Sequence, residues 1–220
     1  MVERFGRLML VALVALGALS SVANGQQSTD ARPTKLVAFG DSLIAGLGLP
    51  AASSFPAKLE AALRAKGYKV DVVNAGVSGD TVADGLARLD WSIPRDADAV
   101  IIELGANDAL RGLDPKAARA GLDEIVKRLR QRDVAVMLAG MYAPRNLGPD
   151  YSAQFDPIYP DLAKAYDLPL YPFFLDGVAT DPKLNHADGL HPTAAGVDII
   201  VARILPTVEA LLTKVSARHS

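Results

Sequence analysis

Ser42 follows a short apolar run, Leu36-Val37-Ala38-Phe39, with Gly40 and Asp41 between. The run reads as a buried strand. Gly40 lacks a Cβ and permits a sharp turn after it. A serine held at such a tip is exposed at the carboxyl end of a strand, close to backbone N–H groups. An acyl-transfer nucleophile needs the same things: an accessible oxygen, and donors for the oxyanion it creates. Alone, Gly-Asp-Ser is an ordinary turn.

Three distant stretches change that weighting. In Asp188-Gly189-Leu190-His191-Pro192 a carboxylate precedes a histidine by three residues. One turn can present Asp188 to Nδ1 of His191, leaving Nε2 free to take a proton from Ser42. His186 is a rival base, but the acid before it, in Asp181-Pro182, reads as a turn residue, and His219 lies in the tail. Asn107, in Gly105-Ala106-Asn107-Asp108, places an amide donor just past an apolar strand, where an oxyanion could receive it. The loop Asn74–Thr81 is glycine-rich and leads into a helix, so its N–H groups, that of Gly79 among them, suit an anion. It lacks the Gly-Lys-Ser/Thr ending of a phosphate loop. Each stretch has a plain turn reading, and only the set is specific.

The elements that must position these residues alternate. Strands are expected at Lys35–Phe39, Lys69–Asn74, Ala99–Leu104, Val134–Ala139 and Leu168–Tyr171. Between them lie amphipathic helices. Phe55-Pro56 opens one that stops at Gly67, Thr81 with Asp84 caps one running to Trp91, and Asp114-Pro115 opens a third. The segment Gly140–Asp150 is expected to be irregular, and Tyr151–Tyr166 to be a weaker helix carrying Pro157 and Pro160. A last helix opens at Pro192-Thr193. This α/β alternation predicts a parallel sheet covered on both faces. In such sheets the ligand crevice lies outside the carboxyl ends of the strands, where the loops carrying Ser42, Gly79 and Asn107 all emerge.

Composition narrows the function. The chain has 220 residues, half of them hydrophobic, enough for one well-buried domain. A net charge of −2 with mixed signs and no basic patch argues against nucleic acid as a partner. Cysteine is absent and the three histidines lack metal-ligand spacing, so no metal is expected. Residues 1–25 read as a secretory signal: Arg4 and Arg7 precede the apolar core Leu8–Leu19, and cleavage is expected after Ala23 or Gly25. An uncleaved membrane anchor is the alternative. Residues 26–34 are expected to be a flexible lead-in, 35–213 the catalytic domain and 214–220 a tail. The mature chain is expected in the periplasm or outside the cell, without membrane insertion and as a monomer.

The four blocks together resemble the GDSL family of serine hydrolases, in particular its SGNH subgroup and the thioesterase I, lysophospholipase L1 and arylesterase branch. Ser42, Gly79, Asn107 and His191 occur in the family's order, and Asp188 matches its acid. The resemblance runs from about Lys35 to Leu212. It implies a three-layer α/β/α sandwich, flavodoxin-like, around a mainly five-stranded parallel sheet. It implies Ser42 as nucleophile, His191 as base and Asp188 as its partner. The oxyanion hole would use the Ser42 and Gly79 N–H groups and the Asn107 amide. No cofactor is implied, and acyl esters, thioesters or lysolipids are the expected substrates. Met141, Tyr142, Pro144 and Leu147 are candidates for an acyl-chain wall, with core packing as the alternative. A lipid- or carbohydrate-binding module on the same fold and a sugar-ester deacetylase are the rival readings.

Overall fold

Five parallel strands carry the architecture: β1 (Thr34–Gly40), β2 (Val70–Gly76), β3 (Ala99–Glu103), β4 (Ala135–Ala139) and β5 (Leu170–Tyr171). The computed structural model describes Met1 and residues 32–217. The strand order is β2-β1-β3-β4-β5, with every neighbouring pair parallel. All five residues of β3 and of β4 are buried, as central strands covered on both faces require. β2 lies at an edge and buries only Val70 among its residues.

Eight helices connect and flank these strands among the described residues: α1 (Ser42–Ala45), α2 (Phe55–Ala65), α3 (Val82–Ser92), α4 (Ala106–Leu110), α5 (Pro115–Gln131), α6 (Pro149–Phe155), α7 (Ile158–Tyr166) and α8 (Ala194–Ser216). α2 packs with α8, and α3 with α5. Right-handed crossovers place these two pairs on opposite faces, giving three layers. Apolar faces of these helices point inward: Leu59 and Leu63 of α2, Leu122, Ile125, Val126 and Leu129 of α5, and Val197, Ile200, Val201 and Ile204 of α8 are all buried. The Thr81–Asp84 capping box starts α3, and Asp114 caps α5 with Pro115 in its first turn.

Several boundaries differ from the sequence expectation. The stretch after β3 is not a plain loop but the short helix α4. The helix expected over Tyr151–Tyr166 is two helices, separated at Asp156-Pro157. Pro157 has no N–H to continue the first, while Pro160 sits in the first turn of the second, where no N–H is needed. β5 has only two residues. β1 begins at Thr34, inside the expected lead-in, and α8 continues to Ser216, inside the expected tail. The proposed signal sequence and most of the lead-in lie outside the described residues. No helix among the described residues is long and apolar enough to cross a membrane.

The order 2-1-3-4-5 reverses direction at β1. From β1 the chain moves outward to β2, then returns past β1 to β3. The crevice of such a sheet forms at this reversal, above the ends of β1 and β3.

Candidate active site

Ser42 stands at that reversal. Asp41 is the N-cap of α1 and its Oδ1 accepts the Leu43 N–H at 3.0 Å. Ser42 is the first residue of the helix, where an N–H has no intrahelical carbonyl in reach. The turn is tight because Gly40 lies against β3: a Cβ there would be 2.3 Å from the Glu103 carbonyl oxygen. Only glycine fits, and the nucleophile is thereby tied directly to two central strands.

Ser42 Oγ lies 2.9 Å from His191 Nε2. His191 Nδ1 lies 2.7 Å from Asp188 Oδ2. The other oxygen of Asp188 accepts the Leu190 and His191 N–H groups, at 2.9 and 3.0 Å. The acid therefore builds the turn that carries its own histidine. Those two backbone donors, and then the imidazole, hold Asp188 well below the usual carboxylate range. The turn is anchored by a bridge between Asn185 and Pro192, by the His186 N–H donating to the His191 carbonyl at 2.8 Å, and by Thr193 capping α8. His186 is not part of this line. Its Nε2 is buried without a hydrogen-bond partner and lies beside Gly48.

Asn107 stands on α4 at the end of β3, beside Asp41. Its Nδ2 donates to Asp41 Oδ2 and to the Asp80 carbonyl, both at 3.0 Å. Both amide hydrogens are thus engaged within the protein, so an oxyanion would have to share one of them. Gly79 occupies the turn before α3 with φ +89°, a conformation suited to glycine. It is not among the residues that line the cavity over Ser42, but it adjoins Asn107 through Asp80, and its carbonyl accepts from Arg111 Nη2 at 2.8 Å.

A cavity of about 490 Å³ opens over Ser42, Asn107 and His191. Met141, Tyr142 and Pro144 line it. Leu147 does not: it sits in a short 3-10 turn, Arg145–Leu147, facing Gly112. Leu110, Phe173 and Leu175, which the sequence did not single out, also line the cavity. Tyr142 stacks on Phe173 with ring centroids 4.9 Å apart, joining the loops after β4 and β5. These residues follow strand ends in sequence, and that placement was their only available signal.

Two buried groups beneath the serine were also missed. Glu103, the last residue of β3, is fully buried, and its carboxyl has the Asp41 N–H beside it but no side-chain donor of fixed position. Asp41 is buried beside it. Burial pushes Asp41 up to about 6, against the Leu43 N–H, the charge of His191 and hydrogen bonds from Glu103 and Asn107. Burial, and next the charge of Asp41, push Glu103 well above the ordinary carboxyl range. On the other side of β1, Arg88 is buried. It donates to Asp80 Oδ2 at 2.5 Å, to the Gly40 carbonyl at 2.8 Å and to the Ala75 carbonyl at 2.9 Å, with its guanidinium 4.3 Å from the Phe39 ring centroid. Among the described residues no group of three or more His, Asp or Glu side chains is placed to hold a metal ion.

This arrangement can abstract a proton from a serine, hold the imidazolium that results, and offer donors to an oxyanion. The chain as a whole resembles known proteins. Residues 38–199 match the GDSL-like Lipase/Acylhydrolase family. The chain is 38% identical over 202 residues to Esterase TesA of Pseudomonas aeruginosa, covering 91% of this chain and 99% of that protein. It is 39% identical over 158 residues to thioesterase 1/protease 1/lysophospholipase L1 of Escherichia coli strain K12, covering 71% and 74%. Among solved structures, AlinE4, described as an SGNH-hydrolase family esterase, matches with a TM-score of 0.69 and 48% identity, over 83% of this chain and 98% of that one.

Proposed function

Because the chain belongs to the GDSL-like lipase/acylhydrolase family and is an esterase, we propose that it cleaves acyl esters and thioesters through an acyl-Ser42 intermediate. The observation that carries this reading is the continuous line from Asp188 through His191 to Ser42, at 2.7 and 2.9 Å. His191 Nε2 takes the Ser42 proton as Oγ attacks the acyl carbon. Asp188 keeps the tautomer and stabilises the imidazolium. The carbonyl oxygen becomes an oxyanion, held by the Ser42 and Gly79 N–H groups and by Asn107. The C–O or C–S bond then breaks, and the leaving alcohol or thiol takes the proton from His191. Water, deprotonated by His191, attacks the acyl-Ser42 carbon; Oγ leaves with that proton, and the carboxylic acid is released.

The acyl group would lie in the cavity walled by Met141, Tyr142, Pro144, Phe173 and Leu175. Its apolar lining supports small acyl esters and lysolipid-like chains as substrates. Export to the periplasm or beyond is part of the proposal, on the strength of Arg4, Arg7 and the apolar Leu8–Leu19. Finding the full-length chain, with Met1 retained, in the cytoplasm would overturn that part.

The test is hydrolysis of p-nitrophenyl esters from acetate to palmitate, by the wild type and by Ser42→Ala. The expected result is turnover that disappears with Ser42 while the circular dichroism spectrum is unchanged. Undiminished turnover by a folded Ser42→Ala protein would sink the mechanism.

A further inference from the structure

The end of β3 holds an acid that the acyl-transfer chemistry does not use. Glu103 lies in register with Gly40, so its carboxyl sits one residue from Asp41. Its side chain folds back over that glycine: a Cβ on Gly40 would be 2.6 Å from Glu103 Oε2. Both Asp41 and Glu103 have no exposed surface. Two buried carboxyl groups in contact share a proton, because two like charges cannot both be held out of water. That proton also resolves the bonding. As an ionised carboxylate, Glu103 would set the Asp41 N–H alone against full burial and a like charge, with no cation beside it. As a neutral acid, its O–H finds an acceptor in Asp41.

Asp41 is already committed on both oxygens. Oδ1 caps α1 through the Leu43 N–H, and Oδ2 receives the Asn107 amide. The first bond orients the helix that starts at Ser42. The second fixes the side chain expected to meet the oxyanion. Both require Asp41 to act as an acceptor, which an ionised carboxylate does best.

We propose that Glu103 carries a proton in the working enzyme and donates it as a hydrogen bond to Asp41, keeping Asp41 an ionised acceptor that positions Asn107. Glu103 and Asp41 are positioning residues here; neither needs to touch the substrate. The inference rests on the acyl-Ser42 reading above.

The other charged and titratable groups around the pair are few. His191 faces Asp41 from the loop before α8, and its positive charge during turnover favours the ionised form. Tyr159, buried on α7, lies near Glu103 but donates its hydroxyl to the Leu104 carbonyl at 2.7 Å. Asp108 on α4 is engaged by the Val82 N–H at 2.9 Å. Arg88 reaches the Gly40 carbonyl but is paired with Asp80. None of these offers Glu103 a compensating cation.

The experiment compares Glu103→Gln and Glu103→Met by kcat, KM and the pH profile of kcat. Gln keeps the shape and supplies an N–H in place of the O–H, so kcat and its acid limb should stay within about twofold of wild type. Met keeps the bulk but donates nothing. Its kcat should fall about tenfold with KM unchanged, and its acid limb should move to higher pH as Asp41 protonates more readily. Infrared difference spectra at neutral pH should contain a protonated-carboxyl C=O band that Glu103→Gln lacks. Three results would overturn the proposal: a Gln variant as impaired as Met, a Met variant with the wild-type profile, or no such infrared band. Glu103→Gln and the infrared band decide the matter even if Glu103→Met does not fold. Inactivity of the wild type on every ester would instead count against the acyl-Ser42 reading, so the two failures are distinguishable.

Discussion

Asn107 Nδ2 lies 3.0 Å from Asp41 Oδ2, so the residue just before the nucleophile holds the side chain expected to stabilise the oxyanion. Attack and charge stabilisation are therefore aligned by one carboxylate. This follows from β1 and β3 being neighbours: their carboxyl ends deliver Asp41 and Asn107 to the same point.

Replacing Asn107 by Ala should lower kcat by about 10²–10³ with little change in KM, the usual cost of losing one oxyanion donor. The variant should still be labelled at Ser42 by a fluorophosphonate, at a reduced rate. An unaltered kcat in steady-state assays would remove Asn107 from the hole.

Asp188→Asn should lower kcat by about 10³–10⁴, because an amide cannot hold the tautomer that leaves His191 Nε2 free. Asn can still accept the Leu190 and His191 N–H groups, so the turn and the melting temperature should be preserved. A loss of only a few-fold in kcat would show that the turn alone orients the imidazole.

The Asp41 carboxyl, raised to about 6 by burial, makes stability fall with rising pH. Its unfolded value is about 3.9. The folded state binds this proton more tightly, so the contribution is fully present below about pH 4 and is lost as pH rises through 6. The loss is on the order of 3 kcal/mol. Asp41→Asn carries no titrating proton. Its stability relative to wild type, measured by urea unfolding, should therefore rise between pH 4 and pH 7, whatever its constant offset. A flat difference would mean that Asp41 does not titrate in that window.

Arg88→Met should destabilise the fold by about 3–5 kcal/mol in chemical unfolding, since it leaves Asp80 buried without its cation. It should also reduce kcat, because the Asp80 carbonyl holds the second Asn107 hydrogen. A variant with wild-type stability would show that water replaces the guanidinium.

Phe173→Ala should change which acyl chains are preferred, by removing the ring on which Tyr142 stacks. The widened wall should favour longer p-nitrophenyl esters over acetate in kcat/KM. An unchanged chain-length profile would place the acyl group elsewhere.

Much of this was legible in the sequence. Apolar runs and caps are local signals, and they located each strand, α3 and α5 to within a few residues. The Ser42, Asp188 and His191 line was legible because each residue follows a strand end or builds its own turn. The structure added what depends on cross-strand register. Glu103 reads in sequence as the polar end of an apolar strand; that it meets Asp41 depends on the pairing of Gly40 with Glu103. Leu147 was expected on the acyl wall because it is an apolar residue in the right loop, yet a one-turn 3-10 segment aims it at Gly112. Phe173 and Leu175, which also line the cavity, lie in the loop after β5, where no pattern in the sequence marks a wall residue.

The tight seat of Gly40 against Glu103 also divides the site by how readily its parts come loose. Ser42 is two residues from a strand paired on both sides, so displacing it or cutting the chain there means opening the centre of the sheet. Asp188 and His191 hang from a loop held by one bridge, a few backbone bonds and the buried Asn185 amide, with no strand pairing on either side. Segments of that kind open at far lower free energy than a central strand. Amide protons around His191 should therefore exchange well before those of Leu36–Phe39. Under mild heating or dilute urea the base should detach first, leaving a properly built but unactivated serine that recovers once the loop re-forms.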